Sequence, residues 1–292
     1  MVNGINSGLD SAQAGSSRGA RIVFIAQKNY FSEFLLDWLS QTANVSGVIW
    51  VSSERHTWRA RVKRLGQRIH RHGLVRAVSE LMWFCAVKVI HGRDTRYLKD
   101  AIERIRKDQG IVQNHVASIS VPSLSDAIVM NFLEERQPDI LFAQCINEII
   151  PPAVRSFAEL GCYVFHEGIL PRYRGKFCTH WAIRNRDYKW IGASVFKAEQ
   201  VLDGGPVAFT EKVYPQASGY GHRWLGHKTL LLALPRLKMW LDQDVACREI
   251  KLRPQKESYS IFSYPTLSNL RGMRRLSAEY DLWRATQHIE IQ

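Results

Sequence analysis

Two turns that follow apolar strands constrain this chain more than any other feature. In the first, GCYVFHEGILPRYRG at 161–175, a short apolar strand delivers His166 into a loop rich in glycine and proline. In the second, VLDGGPVAF at 201–209, an earlier apolar strand and a crossover lead to Asp203, directly before two glycines and a proline. Because open α/β sheets bind ligands outside the carboxyl ends of their strands, we expect both turns to face one site. A carboxylate there can orient a histidine ring and keep it protonated, so we predict that Asp203 does this for His166.

The remaining strands and helices predict an α/β fold. RIVFIAQ at 21–27 and PDILFAQC at 138–145 are continuous apolar runs of the kind found in buried parallel strands. Apolar residues at helical spacing over 31–38 predict a helix between the first strand and a second strand over 46–53. The sequence therefore predicts a twisted, mainly parallel sheet with helices on both faces.

Two helix ends can be placed from local chemistry. A loop over VPSLSD precedes a helix for which Ser125 or Asp126 is a plausible N-cap, because a short polar side chain can accept hydrogen bonds from the first helical amides. The amphipathic segment 226–244 also predicts a helix, which Pro235 either kinks or splits.

The balance of charged residues limits the kinds of ligand or surface that this chain is expected to bind. Forty Lys and Arg residues against 27 Asp and Glu residues give a formal net charge of +13, which favours anionic ligands or surfaces. The five cysteines are scattered without a CxxC pair, so we expect no metal site and no disulfide framework. The polar start of the chain lacks an apolar signal segment, and no run reaches the ~20 apolar residues of a spanning helix. We therefore expect a cytoplasmic protein.

Residues 55–93 form a basic insert after the second strand. The stretch 55–76 contains eight Arg or Lys residues and no acid, with apolar residues at helical spacing, and it runs into LMWFCAVKVI at 81–90. One interpretation is a helical insert whose apolar stripe packs on the domain and whose basic face is solvated. A membrane-surface or acidic-partner role also fits a basic amphipathic helix. Nucleic-acid binding has only the charge in its favour, since no recognisable motif is present.

The two turns together carry a family resemblance. FHEGILPRYRG followed by LDGGPV resembles the folate-dependent formyltransferase family, whose core has an N-x-H-x-S/G-L-L-P-x-Y/W-x-G loop and a later L-D-x-G segment. The similarity extends over residues 20 to 265 and implies a Rossmann-related fold. It also implies a catalytic domain over 20–215, containing the basic insert. We expect a disordered segment over 1–19 and a C-terminal helix with a short extension over 216–292.

The resemblance also implies roles for single residues. His166 and Asp203 match the catalytic histidine and aspartate, whereas Val164 stands where the family has a catalytic asparagine. Candidates to supply the missing donor are Glu167, Asn147, Thr179 and His180. Alternatively, the enzyme is slow or hydrolyses formyl-folate or a formamide, or the fold retains binding without transfer.

The co-substrate implied by the resemblance is N10-formyltetrahydrofolate. The residues that would bind it are Asn147, Ile149, Ile150, Cys162, Leu170, Pro171, Val201 and Leu202. The residues that would bind the second substrate are Glu167, Arg172, Tyr173 and Lys176. Glu167 is attractive because a carboxylate beside the reacting histidine can hold a substrate ammonium group.

The resulting hypothesis is N-formylation of an amine on a small molecule: an amino sugar, an amino-acid-derived amine or a natural-product amine. The first strand–helix turn, AQKNYFS, lacks the glycines that cradle a nucleotide phosphate, which disfavours a ribonucleotide acceptor. The stretch after the helix at 226–244 is too short for the β-barrel of tRNA-acting members, so we expect no nucleic-acid partner. The competing hypotheses are a hydrolase and a non-catalytic or membrane-associated binding protein on the same fold. The oligomeric state is left open.

Overall fold

The structure is a computed structural model that describes residues 19–52, 66, 69–70, 73–90, 92–217, 224–256, 261–270 and 272–289. Its strands are β1 Arg21–Ala26, β2 Asn44–Val51, β3 Ser118–Val121, β4 Ile140–Gln144, β5 Cys162–Glu167, β6 Arg174–Gly175, β7 Gly192–Lys197, β8 Val207–Lys212 and β9 Ile261–Phe262. Its helices are α1 Tyr30–Thr42, α2 Leu74–Ile90, α3 Gly92–Gln109, α4 Ala127–Arg136, α5 Pro152–Arg155, α6 Cys178–Arg184, α7 Leu225–Leu232, α8 Leu234–Trp240, α9 Leu267–Leu270 and α10 Met273–Ile289.

Seven strands form one sheet in the order β3-β2-β1-β4-β5-β7-β8. The pairs from β3 to β5 are parallel, whereas β7 and β8 are antiparallel additions at one edge. The prediction of a mainly parallel sheet is confirmed. The predicted crossover before Asp203 is wrong, because β7 and β8 are antiparallel neighbours joined by a turn that contains this residue.

The sheet has a hydrophobic layer on each face because alternate residues of a strand point to opposite sides. In β1, Phe24 joins the layer that contains α1, α3 and α8, whereas Val23 and Ile25 join the layer that contains α4 and α5. Phe24 stacks on Phe142, and Phe142 stacks on Phe165, each at 6.3 Å between ring centroids. Burying one such ring contributes about 1.5–3 kcal/mol, so this stack fixes β1, β4 and β5 side by side.

Local chemistry sets the helix ends near the site. Asn29 caps α1 by accepting from the amides of Phe31 and Ser32, both at 3.0 Å. Of the two candidates for the N-cap of α4, Asp126 is the one that accepts from a helical amide. Pro235 lies in the first turn of α8, so the predicted long helix is split at Ala233 into α7 and α8.

Three elements differ from expectation. The short strand predicted to end before His166 continues through Glu167, so His166 lies within β5. The edge strand β3 was not predicted, because its exposed serines interrupt the apolar pattern. The expected short C-terminal extension contains the 17-residue helix α10, whose Tyr280 is buried in a cluster with residues of α6.

Two expectations fall largely outside the described residues: the disordered segment over 1–19, of which 1–18 are not described, and most of the basic helix over 55–76. Within the described part of the chain, no helix is both long and apolar enough to cross a bilayer. The second half of the predicted insert is α2, which leads into α3.

Candidate functional site

A cavity of about 760 Å³ lies at the carboxyl ends of β4 and β5. Both motif turns reach it, since His166 and Asp203 line the same cavity. The expectation that the two turns face one site therefore matches the geometry. Residues from α2, α7 and the segment around β9 complete the wall.

His166 is buried, with 8% of its surface exposed. Its Nε2 lies 3.0 Å from the carbonyl oxygen of Tyr173. Because a carbonyl only accepts, Nε2 carries a proton and donates it here, which assigns the tautomer of the neutral ring. The Sγ atom of Cys178 lies 3.5 Å from the same nitrogen. The ring is thus held by the loop that follows its own strand.

Ser194 supports this loop from the neighbouring strand. It is paired with His166 in the β5–β7 register. Its hydroxyl donates to the Gly168 carbonyl at 2.7 Å and accepts from the Leu170 amide at 3.1 Å. A fully buried serine in this position keeps the residues just after His166 in one conformation.

Asp203 holds the loop and not the ring. Its Oδ2 accepts from the Gly175 amide at 2.7 Å, and its backbone is left-handed, with φ 48°. Within the described residues, no hydrogen bond joins the side chains of Asp203 and His166, so the predicted direct orientation of the ring by this carboxylate is corrected. Gly175 has φ 98°, and a Cβ there would overlap the backbone of Phe262, so only glycine fits.

Gln255 connects the two motif turns. Its Nε2 donates to the carbonyls of Asp203 and Gly205, at 3.0 and 2.6 Å. Its Oε1 accepts from Nη2 of Arg174 at 2.7 Å. No role was predicted for Gln255 from the sequence, although the Pro-Gln pair at 254–255 could have marked it as a candidate.

Glu167 lines the cavity with its carboxylate directed at the start of α6. It accepts from the Thr179 hydroxyl at 3.2 Å and from the amides of Cys178 and Thr179. Burial raises the pKa of Glu167, against the opposing effects of the His166 charge and these hydrogen bonds. Gly226 packs against the carboxylate so closely that a Cβ there would overlap it.

The predicted site residues divide into two groups. Those that line the cavity are His166, Asp203, Val164, Asn147, Ile149, Ile150, Val201, Leu202, Glu167 and Lys176. Those that do not line it are Cys162, Leu170, Pro171, Arg172, Tyr173, Thr179 and His180. Cys162 is buried in the sheet, and this burial raises the pKa of its thiol to about 12.

Arg172 and Tyr173 contact Asp187 and not the cavity. Arg172 Nε donates to Asp187 Oδ2 at 2.6 Å, and its guanidinium lies over the Trp190 ring. The Tyr173 hydroxyl donates to the same oxygen at 3.0 Å. The part of Tyr173 that reaches the site is its backbone carbonyl. The expectation that these two side chains bind substrate is therefore not supported by their positions.

Lys176 and Asn147 form a polar bridge on the cavity wall. Lys176 Nζ donates to Asn147 Oδ1 and to the Tyr264 hydroxyl, the latter at 3.1 Å. Asn147 Nδ2 donates to Gln27 Oε1 at 2.6 Å. Val164 lines the same cavity without a polar atom. The cavity therefore contains the amide of Asn147 and the ammonium group of Lys176, whereas the side chain of Val164 offers no hydrogen-bond donor.

Several residues that line the cavity were not predicted from the sequence. Gln144 is the last residue of β4 and accepts from the Ser32 hydroxyl at 2.9 Å. An amide at the end of an apolar strand is a detectable signal for it. Trp83 and Tyr264 reach the cavity from distant parts of the chain, and no local pattern indicates that they meet.

Comparison with known proteins identifies the family. The family model described as formyl transferase matches residues 20–217, which is more than half of the chain. The chain belongs to the formyl transferase family. The resemblance inferred from the two motif turns is thereby confirmed, and both turns lie inside the matched region.

Individual formyl transferases are distant from this chain. A methionyl-tRNA formyltransferase of Kosmotoga olearia is 26% identical over 172 residues, covering 59% of this chain and 53% of that protein. Another, of Chlorobium limicola, is 32% identical over 142 residues, covering 48% and 44%. The chain spans about half the length of these curated relatives. The solved structure of glycinamide ribonucleotide transformylase 1 from Symbiobacterium toebii has a TM-score of 0.51 at 14% identity, covering 86% of this chain and 100% of that chain. The last similarity supports the α/β fold alone.

Proposed function

We propose that this protein is an N-formyltransferase that moves the formyl group of N10-formyltetrahydrofolate to an amine of a small molecule. The observation that carries the proposal is the single cavity lined by both His166 and Asp203 in a chain of this family. We class the acceptor as an amino sugar, an amino-acid-derived amine or a natural-product amine.

The transfer requires one bond to form and one to break. The acceptor nitrogen attacks the formyl carbon, the bond from that carbon to N10 breaks, and a proton passes from the acceptor nitrogen to N10. Negative charge develops on the formyl oxygen on the way, so a positioned donor accelerates the step. His166 is suited to donate to this oxygen or to carry the proton. Because its Nε2 is bound to the Tyr173 carbonyl, Nδ1 is the nitrogen we assign to the reaction.

Asp203 acts on this chemistry through the loop. Its carboxylate on the Gly175 amide, with Gln255 bridging the two turns, holds the residues that follow His166. We assign it the role of a positioning residue that also places a negative charge at the cavity wall.

The cavity suits a folate donor. Its walls combine apolar side chains for the two faces of a pterin with amides for its edge. The walls that we assign to the donor are Ile149, Ile150, Val164, Val201, Leu202 and the amide of Asn147. Cys162 packs in a cluster with Ile150 and Val164, and Leu170 packs in a cluster with Val164, so we assign these two the support of the wall. Pro171 does not line the cavity, and we assign it the shape of the loop after Leu170.

We assign the role of the family's asparagine to Asn147. It is the candidate amide that lines the cavity, whereas Thr179 and His180 lie outside the lining. Thr179 is bound to Glu167 and Thr229. Loss of one oxyanion donor typically costs about 2.7–4 kcal/mol of transition-state stabilisation. Asn147→Ala is therefore expected to lower kcat by about 10²–10³ and, because the same amide is assigned to the donor wall, to weaken donor binding as well.

Lys176 and Glu167 are the acceptor-side residues that this proposal retains. Lys176 brings a positive charge into the cavity, which suits an anionic acceptor. Glu167 lies beside the reacting histidine, and its engagement with the start of α6 makes it a weaker candidate for holding an ammonium group.

The first experiment is calorimetric titration with a non-transferring formyl-folate analogue, for the wild type, Val164→Asn and His166→Ala. We expect micromolar binding by the wild type and by His166→Ala, together with loss of turnover in His166→Ala and Asp203→Ala. An absence of binding in the wild type and Val164→Asn would overturn the donor assignment. Near-normal turnover in His166→Ala would overturn its role.

The acceptor class needs a second assay. Formyl transfer is measured with amino sugars and small amines, with methionyl-tRNA in parallel because two of the relatives named above are methionyl-tRNA formyltransferases. Transfer to tRNA alone would contradict the small-molecule proposal. Release of formate without any amine would identify the hydrolase that the apolar residue at position 164 leaves open.

A further inference from the structure

Helix α2 exposes an apolar face. Its large apolar side chains with high exposed fractions are Leu74 60%, Val75 84%, Val78 42%, Leu81 53% and Met82 50%. At about 100° per residue, these positions together with the exposed Cys85 fall within an arc of about 120°. A contiguous patch of this kind on a surface helix marks an interaction site more often than a scatter of single exposed residues does.

The opposite side of α2 is fixed to the protein. Ala77, Glu80 and Trp83 are buried, and the Trp83 ring packs against the Phe177 ring at 5.1 Å. Arg76 Nη2 donates to the Ser263 hydroxyl at 3.1 Å. The exposed apolar face is therefore presented by an anchored helix.

The chain immediately before this face is strongly basic. Eight Arg or Lys residues and no acidic residue occur over 55–76, so at least seven cations precede Val78 within a short stretch. The whole chain also carries a formal net charge of +13. An exposed apolar helix face on a chain with this excess of positive charge fits a surface that is anionic at its headgroups and apolar beneath.

We propose that the α2 face docks this protein on an anionic lipid membrane surface, with its exposed apolar residues entering the interface and the net positive charge of the chain favouring anionic headgroups. The exposed apolar side chains supply the hydrophobic contact, and the cations supply the preference for anionic lipid. This inference stands independently of the formyl-transfer proposal.

A second copy of the chain fits this face less well. In a two-fold dimer the same patch is present on both subunits, so two chains that each carry a formal net charge of +13 would be brought together. Like charges facing each other at an interface oppose association. An anionic bilayer removes this repulsion, since its surface carries the opposite charge.

Docking in this way also places the cavity near the bilayer. Trp83 lines the cavity from the buried side of α2, and Cys85, which belongs to the exposed apolar arc, lines it as well, so the apolar face adjoins the cavity. The site would then be held beside the headgroup region.

The test is co-sedimentation of the full-length protein with vesicles of phosphatidylcholine and phosphatidylserine, and with vesicles of phosphatidylcholine alone. The test variant is Val75→Asp/Leu81→Asp. The matched control is Leu282→Asp on α10, a site that is 72% exposed. Circular dichroism and thermal melting establish that all three proteins are folded.

We expect the wild type and Leu282→Asp to bind the phosphatidylserine vesicles, and the double variant to bind at least about tenfold less. Binding to phosphatidylcholine alone should be weak for every protein. Equal binding by the double variant and the wild type would overturn the proposal. The proposal would also be overturned if the wild type failed to bind vesicles and instead self-associated in sedimentation velocity. If the double variant abolished that self-association, the α2 face would be an interface with a second copy of the chain. Loss of binding to phosphatidylserine vesicles at high salt would support it.

Discussion

Cys178 Sγ lies 3.5 Å from His166 Nε2, and both atoms lie within hydrogen-bonding reach of the Tyr173 carbonyl. The thiol at the start of α6 and the ring at the end of β5 are therefore packed together under one loop. Because the ring donates its Nε2 proton inward, the loop decides which nitrogen is left for the reaction. Substitutions around this loop can therefore distinguish residues that act on substrate from residues that hold the loop.

The buried thiols should be inert in the folded protein. Burial, reinforced by the charges of Glu167 and Asp203, raises the pKa of Cys178 well above its ordinary value. Burial raises the pKa of Cys162 to about 12, so about 10⁻⁴ of it is thiolate at pH 8. With iodoacetamide we expect the exposed Cys85 and Cys247 to be alkylated and the two buried thiols to react only after unfolding. Mass spectrometry of the intact and denatured protein checks this, and rapid alkylation of Cys178 in the native state would contradict it.

Gly226 and Glu167 should be energetically coupled. A methyl group at position 226 would overlap the Glu167 carboxylate, so Gly226→Ala should lower the free energy of unfolding by about 1–3 kcal/mol. In a Glu167→Ala background the same substitution should cost well under half as much, because the overlapping group is absent. Denaturant unfolding of the two single variants and the double variant measures the coupling. Equal costs in both backgrounds would show that the close contact is not the cause.

Glu167 should also make stability depend on pH. Its pKa in the folded protein is raised by burial above the ordinary value of 4.5. The folded state therefore holds this proton more tightly than the unfolded state, and the resulting stabilisation is complete below about pH 4.5 and lost as pH rises through the raised pKa. We expect Glu167→Gln to lack this loss, so that the unfolding free energy of the variant relative to the wild type increases with pH across the window. A pH-independent difference would contradict the assignment.

Asp203 allows charge and geometry to be tested separately. Asparagine tolerates the left-handed backbone at φ 48° and can still accept from the Gly175 amide, so Asp203→Asn should unfold within about 0.5 kcal/mol of the wild type. Asp203→Ala loses both features and should be destabilised by about 1–2 kcal/mol. If the charge contributes to catalysis, both variants lose turnover, whereas a purely structural role predicts that Asp203→Asn retains it. We expect the first outcome, measured as kcat alongside chemical denaturation.

Arg172 and Lys176 should give opposite phenotypes. Arg172 is bound to Asp187 outside the cavity, so Arg172→Ala should lower stability with little change in KM for the acceptor. Lys176 lines the cavity, so Lys176→Ala should raise KM for an anionic acceptor while the melting temperature changes little. Steady-state kinetics and thermal melts of the pair check this. A higher KM for the acceptor in Arg172→Ala would show that Arg172 contributes to acceptor binding.

Local sequence patterns were sufficient to predict the elements that depend on residues adjacent in sequence. The apolar runs of β1 and β4, the cap of α4 at Asp126 and the break at Pro235 each depend on residues adjacent in sequence. The same is true of the two motif turns, whose glycines and prolines identified the family. The weak strand β3 and the helix α10 were missed, although Met273, Ser277 and Tyr280 are buried at helical spacing.

The sequence by itself was therefore sufficient for the sheet class and the family, and it led us to expect His166 and Asp203 at one cavity, because strand ends and turn chemistry are local. Only the tertiary structure decided what each group contacts. It showed that Asp203 binds the Gly175 amide, that Gln255 joins the two turns, and that Glu167 is bound to the start of α6. These contacts join residues up to 52 positions apart, as for Asp203 and Gln255. Their partners are set by how strands and loops pack, and no spacing along the chain encodes that packing directly.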